Sequence, residues 1–204
     1  MTEAVVGYQF YVYFAATNAA TLKALFHFYS YLQAVCFLTS NPNTERFSTS
    51  LDKAKNYAEV WKIVKETAEY ALNKRRDSMM LFLDDLPLQL GAYYPVGTNN
   101  IVLNRALVEI VEASMSDKPT VNAFVYNLLL HEYLHALGEM SETGVRREVV
   151  EVAKKSFGEH HIATVVARKS PWVLLKDIPL GPYNSPKRVM EIVRDFEKTG
   201  KYIV

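Results

Sequence analysis

Cysteine is almost missing from the 204-residue chain: the one thiol, Cys36, has no partner for an intramolecular disulfide. Its neighbours Val35 and Phe37 predict a buried thiol, in keeping with a reducing, cytoplasmic setting. Glycine and proline are sparse at eight each, and no low-complexity tract or internal repeat is present, which excludes collagenous, linker-like and largely disordered chains. Neither sign of charge dominates, with 23 Lys and Arg against 22 Asp and Glu, so there is no global field to hold nucleic acid or an anionic membrane. A membrane-length hydrophobic run is also lacking. The most apolar stretch, residues 24–38, is too short to cross a bilayer, contains His27, Ser30 and Gln33, and reads as a buried helix. The opening residues have no basic leader before an apolar run, so no secretory signal is expected.

What is abundant is apolar material. Half of the residues are hydrophobic, enough for one well-packed domain over 1–204 and too little for a second independent core. Residues 5–15, rich in Val, Tyr and Phe, have strand composition, and Asn18 is placed to cap a helix running to about Val35. Polar residues 39–49 read as a loop, followed by one helix from Leu51 to Arg76. Residues 79–83, 88–94 and 100–104 read as short strands, and 106–113 as a helix. Thr120 is expected to cap a long helix ending at Gly138, whose stretch 124–137 carries Glu132 as its only formal charge and should therefore lie at the centre of the domain. A helix over 142–157 stopping at Gly158, a short helix near His161, and an amphipathic helix opened by Ser185-Pro186 and closed at Gly200 complete the expected order.

Inside the central helix lies His131-Glu132-Tyr133-Leu134-His135, an H-E-x-x-H pattern. On a helix, positions i and i+4 share a face, so both imidazoles can reach one Zn²⁺. Glu132 projects beside the metal without entering its shell and is placed to take a proton from metal-bound water, as a general base. Four of the five histidines, His131, His135, His160 and His161, fall in this one region. Unligated imidazoles and an unpaired carboxylate on so apolar a helix would be costly.

On these residues the sequence resembles the zincin clan of metallopeptidases and, more narrowly, a group of small archaeal proteins with an H-E-Y-L-H-x-L-G core. The resemblance spans residues 91–172 and is carried by GAYYPVGTNNIVLNR at 91–105, LLLHEYLHALGEMSE at 128–142, VRREVVEV at 145–152 and FGEHHIAT at 157–164. Residues 1–90 carry no recognised motif, and 173–204 form a C-terminal loop and helix region. The resemblance implies a zincin-like α+β domain with a small mixed sheet, a central metal-binding helix and surrounding helices. It also implies a zinc metallopeptidase, a hydrolase acting on peptide or unfolded protein; the balanced charge, independently, leads us to expect no nucleic-acid or membrane partner. In that clan the strand before the active-site helix rims the cleft and pairs with an extended peptide; Asn100, Ile101 and Val102 occupy that place in the order of elements. The alternative is a non-catalytic zinc-stabilised scaffold or interaction module whose metal shell is closed by four protein ligands, a site with no need of Glu132.

The third ligand is open. A metzincin would place histidine where Ser141 stands, and the thermolysin-like second motif is absent. Glu142, Glu148, Glu151, Glu159, His160 and His161 are candidates. His161 is preferred because it matches the histidine of the F-G-E-x-H stretch in the archaeal proteins and follows the helix stop at Gly158. Glu151 is second, since gluzincins recruit a glutamate from the helix after the active one. Tyr94 and Tyr183 are candidate donors to a developing oxyanion. Arg146, Arg147, Lys154 and Lys155 read as a solvated basic face, His27 as a core histidine, and the aromatic run 8–14 as strand core.

Overall fold

The computed structural model describes residues 41–178 and 187–197. The expected strand at 5–15, the helix at 18–35, His27, Cys36 and Tyr183 lie outside them. Where a loop was expected, Asn41-Pro42 opens helix α1 (Pro42–Asp52): the Asn41 side chain accepts from Asn43 N–H, and the proline fills the first turn, where no amide donor is required. The single helix expected over 51–76 is interrupted at 53–56. Asn56 then caps α2 (Tyr57–Leu72) by accepting from Glu59 N–H, and Asn73 ends it with a φ of 54°.

The strands are β1 (Met80–Asp84), β2 (Ala92–Tyr93) and β3 (Asn100–Asn104), followed by α3 (Arg105–Ser114). α4 (Lys118–Ala136) starts one turn earlier than expected, because Asp117 accepts from Thr120 N–H and so takes the cap assigned to Thr120. α5 (Glu142–Phe157), as expected, and the short α6 (Ile162–Lys169) lead into a 3-10 turn at Pro171–Leu175. Residues 187–197 contain no helix. They carry β4 (Glu191–Ile192), which adds antiparallel to β1, and continue to Phe196, stacked on Trp61 with ring centroids 4.8 Å apart. Glu197 accepts from Met79 N–H and Trp61 Nε1 and pairs with Lys65, so tertiary partners override the helical pattern of this segment.

The sheet order is β2-β3-β1-β4, with β1 and β3 parallel and both outer strands antiparallel to their neighbours. This is a mixed α+β architecture. β3 is therefore internal: Ala92 and Tyr93 of β2 cover one edge and β1 the other, while Ile101 and Val102 are buried. Of the three residues expected at a free edge, Val102 is paired with Tyr93 of β2, because the chain before β3 doubles back over it, while Asn100 and Ile101 have no partner on β2. β2 is the outer strand.

α4 runs through the core as expected, with every residue from Val121 to Leu130 buried. Asn122 donates to the Leu51 and Ala54 carbonyls, tying α4 to the end of α1. The Tyr133 hydroxyl exchanges hydrogen bonds with the backbone of Arg76, whose guanidinium in turn donates to Ala136 O, Thr98 O and Tyr94 Oη. That side chain satisfies a carbonyl in the last turn of α4 and joins it to the β2–β3 connection. Among the described residues, no helix is long and apolar enough to cross a membrane.

Candidate metal centre

His131 and His135 stand one helical turn apart on α4, rings 5.1 Å centroid to centroid and steeply tilted at 70°. The helix ends abruptly after them. Gly138 has a φ of 106°, a conformation that disfavours any side chain, and it lets Gly138 N–H and Glu139 N–H bond back to His135 O and Leu134 O. Two consequences follow for the site. The Glu139 carbonyl comes within 2.8 Å of His135 Nδ1, and Ser141, which caps α5 by accepting from Gly144 N–H, places Glu142 in the first turn of that helix, opposite both imidazoles.

Glu142 bridges the pair. Its Oε2 lies 3.3 Å from His131 Nε2 and its Oε1 3.2 Å from His135 Nε2. One ligand atom from each of the three residues falls within 4.8 Å of the others, the arrangement of a group able to hold a metal ion. Two imidazoles and a carboxylate suit a borderline ion such as Zn²⁺, whose tetrahedral shell sets such donors roughly 3.3 Å apart. Burial holds the His131 imidazole below its ordinary value; Glu142 pulls it up, while His135 and Arg146 press it down.

Glu132, on the same helix, is buried at 8% exposure. Burial pushes its carboxyl up to about 7, aided by the Glu142 charge and opposed by His135 and by the backbone N–H of Tyr94, which donates to it. His131, Glu132 and Glu142 line a cleft of about 530 Å³ between α4, α5, the segment before β2 and the turn after α6. Gln89 to Ala92 form one wall, and Trp172 lies on another. A Cβ at Gly91 would stand 2.6 Å from Leu128 Cδ2, so the approach to β2 crosses α4 as closely as a bare backbone allows.

The structure does not bring His161, the preferred third ligand, into the cluster with His131 and His135. His161 Nε2 is 3.2 Å from Asp52 Oδ1, its Nδ1 accepts from Ala163 N–H to cap α6, and its ring stacks on Phe157 at 4.9 Å. Both ring nitrogens are engaged, and the carboxylate that meets the two imidazoles is that of Glu142. Glu151 is exposed on α5 and does not belong to the cluster. Glu159 pairs with Lys154 and Arg168, and His160 is exposed. Glu148 keeps one buried carboxylate oxygen without a partner among the described residues. Tyr94 Oη donates to Thr98 O and accepts from Arg76, so its hydroxyl is spent away from the imidazoles. Arg146 and Arg147, read as a solvated face, line the cleft.

The chain matches no family model, no curated protein and no solved structure.

Proposed function

We propose that the protein is a zinc-dependent metallopeptidase of zincin type, with His131, His135 and Glu142 as metal ligands and Glu132 as the general base. The observation that carries this reading is the convergence of the three donors beside a second, buried carboxylate, Glu132, with His131, Glu132 and Glu142 lining one open cleft. When bound, Zn²⁺ would supply a Lewis acid for a peptide carbonyl and for a water molecule. Three protein donors leave a position for that water, as in catalytic sites; a structural site would close the shell with a fourth.

The remaining chemistry belongs to the chain's own groups. Glu132 accepts the proton of the attacking water and passes it to the departing amine, a transfer favoured by a carboxyl whose affinity for protons is already raised. The Glu139 carbonyl fixes the ring of His135. An extended substrate is received along β2, the outer strand, whose approach at Gln89 to Ala92 forms the cleft wall, with main-chain pairing supplying sequence-tolerant affinity.

The test compares zinc-loaded wild type and Glu132→Gln on a denatured protein and on peptide mixtures. Cleavage by the wild type, lost in the variant while bound zinc is retained, is the expected outcome. Absence of cleavage by the zinc-loaded wild type favours the scaffold reading, and undiminished cleavage by the variant removes Glu132 as the base.

A further inference from the structure

The cleft has a charge its metal centre does not require. Arg146, Arg147, Arg168 and Lys169 line it, against the carboxylates of Glu132 and Glu142. Glu142 is committed to the two imidazoles, so Arg146, four residues later on α5, lacks the ion pair its spacing would otherwise offer. Arg168 is neutralised by Glu159. Arg146, Arg147 and Lys169 have no carboxylate within ion-pair distance among the described residues.

Arg146 and Arg147 stand side by side in the second turn of α5, both exposed. On the facing wall, Ser170 holds a φ of 73°, a strained backbone for a residue other than glycine, at the bend that carries Lys169 into Trp172. Unpaired cations on two walls of one cleft describe a surface suited to an anion.

We propose that this cleft selects peptides by a carboxylate, gripped by Arg146 and Arg147 from α5 with Lys169 opposite. Arginine suits the role because its planar fork meets a carboxylate through two parallel hydrogen bonds. The inference rests on the peptidase reading for its ligand class, and the carboxylate has two sources, an acidic side chain or the chain terminus.

Four blocked peptides of alternating Ala and Leu separate those sources: one central Glu or Gln, each with a C-terminal acid or amide. Binding is measured by calorimetry on zinc-loaded Glu132→Gln protein, so that turnover is not needed, and hydrolysis is measured in parallel on the wild type. Loss of the relevant carboxylate is expected to weaken binding about tenfold, the scale of one charge-assisted hydrogen bond. A drop with Gln identifies a side-chain carboxylate, and a drop with the amide identifies the terminus. Arg146→Ala combined with Arg147→Ala should erase the difference, and Arg146→Glu should shift preference to a Lys-containing peptide. Equal affinity for all four peptides, or no binding of any, overturns the inference. A preference in binding without hydrolysis by the wild type retains the inference and overturns the peptidase reading instead.

Discussion

His135 Nδ1 donates to the backbone carbonyl of Glu139, 2.8 Å away. A carbonyl oxygen has no proton to give, so this contact places a ring hydrogen on Nδ1 and turns Nε2 toward Glu142. Nε2 and Oε1 then face each other at 3.2 Å, and a proton or a metal ion must mediate between them. A metal-ligating histidine customarily has this support from its far nitrogen.

The first prediction separates the two candidates for the third ligand. Glu142→Ala should lower zinc affinity by roughly 10-fold or more, measured by competition with a chromogenic chelator, because one of three donors is lost. His161→Ala should leave affinity unchanged and cost about 1 kcal/mol of stability, the price of a helix cap. The opposite pattern would restore His161 as the ligand.

Glu132 makes the chelated protein unstable in alkali. Its folded-state value of about 7 lies above the ordinary 4.5, so the folded form binds its proton more tightly than the unfolded one. The resulting penalty is absent below about pH 4.5, grows as pH rises to about 7 and then levels off at roughly 3 kcal/mol. Glu132→Gln keeps the shape and an acceptor for Tyr94 N–H without the charge. In excess chelator its melting temperature should exceed that of the wild type by several degrees at about pH 8 and match it near pH 4.5. Equal curves at both values would mean that the carboxylate is well solvated.

Local signals in the sequence located much of this site. The i,i+4 pair His131 and His135 depends only on helical geometry, and Gly158 and the turn at 97–99 punctuate α5 and β3 where they were expected. The meeting of Glu142 with the two imidazoles was less legible because it depends on a reversal. Gly138 and Glu139 bring Glu142 back over His135, whereas His161, equally plausible along the chain, is taken by Asp52 on α1. α1 itself was announced by Asn41-Pro42, a cap followed by a first-turn proline, but its polar composition masked the signal. β3 had the right residues for an edge strand, and its coverage by two residues of β2 is a pairing that composition does not specify. β4 forms because β1 offers a free edge.

Asn104 positions the cleft wall from a distance. It is fully buried, its Nδ2 donates to the carbonyls of Leu86, Pro87 and Leu90, and its Oδ1 accepts from Leu86 N–H and caps α3 at Leu107 N–H. Asn104→Ala should destabilise the fold by roughly 3 kcal/mol in urea, since several backbone groups lose their partner together. Asn104→Asp should be worse at neutral pH, because a carboxylate would face three carbonyl oxygens. Destabilisation of Ala beyond Asp would show that volume, not hydrogen bonding, is what the position supplies.

Asp85 governs stability in acid. Its carboxylate accepts from Arg188 Nε, Nη2 and backbone N–H, at 2.8 to 3.0 Å, and from Arg105 Nε at 3.1 Å. The Arg188 hydrogen bonds lead in holding it well below the usual carboxylate range; burial opposes them and Arg105 assists. A depressed folded value means that the stabilisation is fully present above the unfolded value of 3.8 and is lost as pH falls from there toward the folded one. Asp85→Asn should therefore cost roughly 3 kcal/mol near neutrality, because the carboxylate shared by both guanidinium groups is lost and only Glu109 and Glu191 remain as their ion-pair partners. The gap to the wild type should narrow as pH drops below about 4, as the wild-type carboxylate itself begins to protonate. Thermal melts of both proteins at neutral pH, near pH 4 and in stronger acid decide the matter: a constant difference across all three would mean that Asp85 contributes through shape and neutral hydrogen bonds, and that its charge does not anchor Arg188 to the end of β1.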